Sequence, residues 1–187
     1  MEATEPEITL DYRKFCDVVH FICANCPDAD LLGKTKLHKV LYYSDMLNFL
    51  DTGTPLTGDD YIKQPFGPTA RHLQKAVRDL EAEERISVTV RSYFGMSKVD
   101  FISLKDPNPN ALSLEEAARV REVIDFVCRR SAKEISELSH AKPWEAVQIG
   151  ERIPYFTAWW LIPDTGIDES GLSAARSEAE RLFVHKA

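Results

Sequence analysis

The sequence predicts an α+β fold that is predominantly α-helical: a compact helical domain around one central helix, with one small antiparallel β-hairpin. Three observations predict it. Residues at about 35–51 are apolar on almost every side of a helix, which is typical of an enclosed helix. Residues 86–104 contain two short strand-like segments separated by Gly95. Most other apolar residues recur at three- and four-residue steps, the spacing of helices.

The central helix has recognisable boundaries, with Thr35 as its predicted N-cap and Gly53 just beyond its end. Only the side of the helix near His38 and Asp45 is expected to face solvent. Changes at these two positions are therefore expected to be tolerated. A charge at Leu41 is expected to unfold the domain. The predicted core combines residues of this helix with residues of the next: Leu37, Val40, Leu41, Leu47, Leu73 and Val77.

Helices are predicted on both sides of the central helix. The first covers about 10–24 and ends at Asn25-Cys26-Pro27-Asp28, where turn-forming residues follow one another. After the central helix, residues 53–68 are predicted to form an ordered loop held by apolar anchors. Pro68 then suits the first position of a helix that continues to Ala82.

The β-hairpin follows this helix. Its first strand is predicted where Ile86, Val88 and Val90 alternate with polar residues, and its second strand covers 99–104. The alternation is typical of a strand with one face on the core.

The last third of the chain is again mostly helical. Capping boxes, in which a serine precedes a glutamate by three residues, predict two helix starts, at Ser113 with Glu116 and at Ser131 with Glu134. The aromatic block at 155–160 fits either a strand or a docking helix. We expect residues 1–163 to form one domain, and residues 164–187 to form a helical tail packed on it.

Composition excludes several classes of protein. The formal charge of −7 disfavours non-specific binding to nucleic acid, which depends on clustered Lys and Arg. The longest apolar run, 155–162, is too short to span a membrane. The acidic N-terminus lacks a signal-peptide layout, and the four cysteines form no secretory framework. A cytoplasmic protein without membrane contact is therefore expected.

No catalytic or metal motif is evident, so we predict neither enzyme activity nor a cofactor. His20, Cys23 and Cys26 lie roughly on one helical face, but a structural zinc site needs four ligands and no second pair stands at ligand spacing. A hydrolase would need His72 or His140 beside a carboxylate and a hydroxyl or thiol, an arrangement that a sequence does not show.

The alternative function is that of a winged-helix transcriptional regulator, because a helix is followed by a β-hairpin. Residues 68–82 would form the recognition helix, and its basic and polar side chains would be Arg71, His72, Gln74, Lys75 and Arg78. The acidic end of this helix and the net charge favour a solvated helix face instead.

Four motifs, in order, resemble those of the Panacea domain, the family of SocA-type antitoxins. Residues 36–45 (KLHKVLYYSD) resemble the family's KLxKLLYYA helix, with His38 and Ser44 as modest departures, and residues 53–59 (GTPLTGD) resemble its G-x-P loop. Phe66-Gly67-Pro68 is similar to its aromatic-Gly-Pro helix start. Leu138-Ser139-His140 with Pro143-Trp144 is similar to its C-terminal L-S/T-H…P-W element.

This resemblance, which covers about 10–160, implies an antitoxin that neutralises a cognate protein toxin by direct contact. In the SocA branch it further implies an adaptor that presents the bound toxin to the ClpXP protease. We expect the toxin to bind at aromatic and loop residues that should be exposed. The candidate toxin-binding residues are Tyr43, Asp59, Tyr61, Phe66, Arg71 and Trp144.

Overall fold

The computed structural model of the protein describes residues 8–93 and 96–162, without the side chains of residues 93 and 96. It confirms the predicted α+β, predominantly helical class. The turn at Gly95 and the tail over 164–187 lie outside the described residues. The elements are α1 (Tyr12–Asn25), α2 (Ala29–Thr52), β1 (Tyr61–Gln64), β2 (Gly67–Ala70), α3 (Leu73–Ala82), β3 (Ile86–Tyr93), β4 (Met96–Ser103), α4 (Leu114–Cys128), α5 (Ala132–Leu138), α6 (Lys142–Glu145) and a 3₁₀ helix (Tyr155–Leu161).

The central helix, α2, ends where predicted, and it contains two helical segments joined at Gly33: a short one that begins earlier than predicted, and a long one that begins close to the predicted start. The N-cap of α2 is Asp28, whose side chain accepts a hydrogen bond from the backbone N of Asp30, so Thr35 is not the cap. Gly33 (φ +61°) interrupts the helical geometry near the start. Gly53 (φ +75°) ends the helix in the left-handed conformation that favours glycine.

Other elements enclose α2, as its apolar residues predict. It packs against α1, α4, α5, β2, β4 and the 3₁₀ helix. Four of the six predicted core residues are at most 2% exposed, namely Leu37, Val40, Leu41 and Leu73. Leu47 and Val77 are partly buried and pack against this core. The prediction that Asp45 faces solvent is wrong, because its side chain is fully buried.

A short β-hairpin, which the sequence did not predict, stands where a loop and a helix start were expected. Strands β1 and β2 pair antiparallel, and Gln64 opposes Gly67. Pro68 therefore lies in a strand, and α3 begins only at Leu73. The chain returns beside β1 much later, where the backbone N of Lys63 donates to the carbonyl of Glu151 (2.9 Å). These distant backbone partners stabilise the strand conformation.

The second hairpin, β3–β4, is confirmed at its predicted position. Val88 opposes Phe101 across the pair, and Ile86 and Phe101 are buried against the core. Val90, predicted to share this inward face, is 65% exposed because the hairpin extends past the core.

Local sequence signals set the last helices. Both predicted capping boxes are present, with Ser113 and Ser131 each accepting a hydrogen bond from the backbone of the third helical residue. The aromatic block at 155–160 forms the 3₁₀ helix. Within the described ranges, no helix combines the length and the apolar character needed to cross a membrane.

Candidate functional site

The carboxylate of Asp45 holds the loop that follows α2 against this helix. Its Oδ1 accepts from the backbone N of Thr57 (2.6 Å), and its Oδ2 accepts from Thr57 Oγ1 (2.6 Å) and Tyr61 Oη (2.5 Å). Burial raises the pKa of Asp45, and these hydrogen bonds to the carboxylate oppose the rise. Asp45 therefore connects the KLHKVLYYSD helix to the GTPLTGD loop.

Asp59 extends this buried network toward two further elements. Its side chain accepts from the backbone N (3.2 Å) and the ring Nδ1 (2.6 Å) of His72, just before α3. Its backbone carbonyl accepts from Tyr155 Oη (2.7 Å), in the 3₁₀ helix. Burial raises the pKa of Asp59, while the bonds from His72 lower it. Asp59 thus fixes the positions of α3 and the 3₁₀ helix relative to the loop.

The first hairpin is held on α2 by a buried lysine. Lys39 is 1% exposed, and its Nζ donates to the carbonyl of Pro68 (2.8 Å). Gly67 has φ +92°, and a Cβ there would overlap Ser139 Oγ and lie 2.8 Å from Lys39 Nζ. Only a glycine fits this close approach. The lysine of the first motif, the Gly-Pro pair and the serine of the last motif therefore meet at one point.

We expect Lys39 to make the stability of the domain depend on pH. Burial lowers the pKa of Lys39 from 10.5 to about 7. Between these values the unfolded chain binds a proton that the folded chain does not, so the free energy of unfolding rises as the pH rises. From pH 7 to 10 the wild type should gain about 2–4 kcal/mol relative to Lys39→Met. Denaturant titrations of both proteins across this range measure the difference.

A matched control comes from Lys34, an exposed lysine of the same helix. The variant Lys34→Met should keep the full rise seen in the wild type, since it leaves the buried Lys39 in place. Parallel curves for the wild type and Lys39→Met would show that Lys39 is not held in a desolvated site.

Trp144 joins the last motif to the same hairpin. Its Nε1 donates to the carbonyl of Gln64 (3.0 Å) in β1. Its ring stacks on His140, with the centroids 4.1 Å apart, and Lys63 Nζ lies 3.9 Å from the ring centroid. Trp144 is half-buried, and through these contacts it supports the first hairpin.

An apolar groove of about 650 Å³ lies between the two hairpins, α3 and the first half of α2. Its apolar lining includes Ile62, Val77, Val88, Val99 and Phe101. Phe66, in the turn of the first hairpin, stands at this groove with 74% of its surface exposed. A large aromatic side chain so exposed beside an apolar groove is the usual character of a protein-binding surface.

The ionisable residues that line the groove are all basic, although the chain is acidic overall: Lys34, His38, Lys39 and Arg71. His38 Nδ1 accepts from the backbone N of Ala70 (3.0 Å), and burial lowers the pKa of His38 to about 3, so its ring is neutral. Arg71 pairs with Asp60 (2.8 Å). The groove thus offers hydrogen-bond donors among apolar walls.

The six predicted toxin-binding residues do not share one surface. Phe66 and Arg71 are exposed and line the groove, and Trp144 is half-buried and contacts Gln64 of the first hairpin. Tyr43 instead packs edge-to-face on Phe126 of α4 (6.0 Å between centroids). The expectation of exposure is wrong for two of the six, Asp59 and Tyr61, which are fully buried because their polar groups complete the network around Asp45.

The sequence did not indicate that residues of the second hairpin, β3–β4, line a binding groove. Val88 and Val90 were predicted only to alternate in a half-buried strand, and Val99 and Phe101 only to lie in the second strand. The signal that could have identified the site is the length of this apolar face, since the outer residue Val90 extends beyond the core. An apolar strand face longer than its core indicates a binding surface.

The proposed recognition helix of the winged-helix alternative is engaged with the chain's own carboxylates. Lys75 Nζ donates to Asp79 (2.6 Å) and lies over the ring of Tyr12, and Arg71 precedes the helix and binds Asp60. Such contacts occupy two of the cations that would face phosphates, Arg71 and Lys75.

The structure contains half of the arrangement that the hydrolase alternative requires, a histidine beside a carboxylate. His72 and Asp59 do form a His–carboxylate pair. Among residues 8–93 and 96–162, however, no hydroxyl or thiol hydrogen-bonds to the ring of His72 or of His140. A nucleophile beside the base is what that chemistry needs.

The fold and the four converging motifs define the class of the protein as a small, predominantly helical α+β domain. A family model described as "Antitoxin SocA-like, Panacea domain" matches residues 37–145. Because this match covers more than half of the chain, the protein belongs to the SocA-like Panacea domain family. Neither the curated proteins nor the solved structures give a significant match to the chain.

Proposed function

We propose that the protein is an antitoxin that neutralises a cognate protein toxin by binding it directly, without enzymatic activity and in the cytoplasm. The family match supports the antitoxin role. The observation that supports direct binding is the apolar groove with the exposed Phe66 at its edge. A partner that fits this surface places an apolar anchor between the hairpins and a carboxylate near Lys34 and Arg71.

Four of the six candidate residues remain in this proposal: Phe66 and Arg71 at the groove, Trp144 beside the first hairpin, and Tyr43 of α2, which packs on α4. The roles of Asp59 and Tyr61 become structural, since both hold the loop from within. The direct test is co-expression with the product of the adjacent gene. That product should stop growth alone and should be harmless beside this protein; a product that is harmless alone, or toxic in both cases, contradicts the proposal.

The contact surface can be tested at Phe66. Replacing it with alanine is expected to weaken binding of the toxin at least about 30-fold, because truncation of a central aromatic anchor typically costs 2 kcal/mol or more. Titration calorimetry with the purified toxin measures the change. The fold should not alter, since the side chain is 74% exposed.

The chain offers a matched control in Leu114, the first residue of α4, which is 91% exposed and lies outside the groove. Leu114→Ala removes a similar exposed apolar side chain and should bind with the wild-type affinity. Equal affinities for Phe66→Ala and Leu114→Ala would place the toxin elsewhere on the surface.

The adaptor version of the proposal adds ClpXP as a second partner. Under it, the half-life of the toxin falls only when this protein and ClpXP are both present. Under simple sequestration, the half-life is unchanged and inhibition follows the concentration and affinity of the complex. Phe66→Ala should weaken either effect, because both require bound toxin. The two versions are separated by the turnover of the toxin beside the wild-type protein, with and without ClpXP.

A further inference from the structure

Two cysteines far apart in the sequence lie in contact. Cys26, the C-cap residue of α1, and Cys128, the last residue of α4, have their Sγ atoms 3.5 Å apart. Both are free thiols. A disulfide bond is about 2.05 Å long, so a small rotation of the two side chains would bring the sulfurs to bonding distance.

The surroundings of the pair make the two thiols unequal. Cys26 is partly exposed, whereas Cys128 is buried. The hydrogen bond with the Cys128 thiol, helped by the nearby Lys36 ammonium, lowers the pKa of Cys26 to about 7, although burial opposes this shift. Lys36 is itself held in place, since its Nζ donates to the carbonyl of Cys128 (3.3 Å). Cys26 is therefore the accessible thiolate and Cys128 is the thiol beside it.

We propose that Cys26 and Cys128 form a site of reversible two-electron oxidation by hydroperoxides, which closes a disulfide between α1 and α4. The Cys26 thiolate attacks one oxygen of hydrogen peroxide, the O–O bond breaks, and hydroxide leaves. The hydroxide takes up the proton that the Cys26 thiol released on ionising, so a sulfenic acid and one water are produced. The sulfur of Cys128 then attacks the sulfur of Cys26. The S–S bond forms, the S–O bond breaks, and the hydroxyl leaves as water with the proton of Cys128.

With hydrogen peroxide, the balance of the reaction is two thiols and one peroxide giving one disulfide and two waters, and a dithiol reductant reduces the disulfide again. Intracellular disulfides are in most cases transient or redox-sensing, which fits a pair that stands reduced and in contact. The bond would link two helices that both pack on α2 and would close a loop of about a hundred residues. Closing so long a loop restricts the unfolded chain and stabilises the folded one.

The test treats the full chain with excess hydrogen peroxide and follows its mass, its free thiols and its melting temperature. The wild type should lose two hydrogens and two titratable thiols, and a non-reduced digest should contain the Cys26–Cys128 linked peptide. Its melting temperature should rise by about 5–10 °C and return after reduction. A wild type that keeps all four thiols overturns the proposal.

Three variants assign the chemistry to these two residues. Cys128→Ser should stop at a sulfenic acid on Cys26, which dimedone traps. Cys26→Ser should leave Cys128 unmodified at the same peroxide concentration, because a buried, protonated thiol reacts slowly. The double variant Cys16→Ser/Cys23→Ser should behave as the wild type does. A disulfide that disappears in this double variant, or a trapped sulfenic acid on Cys128, contradicts the assignment.

Discussion

The variant Leu41→Asp is expected to be unfolded at neutral pH and room temperature. Leu41 is 1% exposed in the middle of α2, which five other helical or strand elements and the 3₁₀ helix surround. Removing a buried leucine side chain costs about 2–5 kcal/mol. An ionised carboxylate with no partner in an apolar core adds several kcal/mol more. The sum is comparable with the whole stability of a typical domain, about 5–15 kcal/mol.

Circular dichroism and thermal melting measure this outcome. Leu41→Met keeps the volume and the apolar character, so it should cost less than about 1.5 kcal/mol and keep the helical spectrum. A folded Leu41→Asp protein with wild-type binding of the toxin would mean that α2 is not enclosed as described.

Local signals in the sequence predicted most of the helical framework. The capping boxes at Ser113 and Ser131 and the glycine at position 53 act through backbone groups within a few residues, so their effect can be identified without knowing the tertiary structure. The enclosure of α2 was also predictable, because a helix that is apolar on all sides is stable only when other elements cover it.

The first hairpin could not be predicted in the same way. Gly67 and Pro68 are poor strand formers, and Pro68 suits the first turn of a helix. What places them in β2 is tertiary: the amine of Lys39 on the Pro68 carbonyl, the contact of Gly67 with Ser139, and the later chain beside β1. No window of the local sequence contains these partners.

The candidate site was predicted in part for a related reason. Phe66 lies in a turn, so its exposure follows from its position in the chain. Tyr61 and Asp59 also lie near turn residues. A polar side chain near a turn can nevertheless be buried when a hydrogen-bond partner is available inside the protein. Their partners, Asp45 and His72, stand 16 and 13 residues away and could not be paired with them from spacing alone.

Asp45→Ala is expected to cost about 3–6 kcal/mol of stability, which reverses the expectation that this position tolerates change. The substitution leaves the backbone N and Oγ1 of Thr57 and the hydroxyl of Tyr61 without their acceptor in a buried site. Each buried donor left unsatisfied costs about 1–3 kcal/mol. The loop over 53–59 and the start of β1 should loosen first, because Asp45 is their attachment to α2. Denaturant titration gives the stability, and amide exchange at Thr57 and Gly58 gives the local effect.

Two comparisons make this prediction specific. Asp51→Ala, in the last turn of the same helix, removes an aspartate that is 58% exposed and paired with Arg119 (2.7 Å), so it should cost at most about 1 kcal/mol. Asp45→Asn keeps the shape of the side chain and one acceptor oxygen, but its NH2 group replaces the other oxygen and would face hydrogen-bond donors. Its cost in stability should therefore stay well above that of Asp51→Ala. If Asp45→Asn is as mild as Asp51→Ala, hydrogen bonding by Asp45 does not hold the loop.

Since Phe66 and the groove follow directly on the segment that Asp45 anchors, Asp45→Ala should also weaken toxin binding, although Asp45 is far too buried to touch a partner.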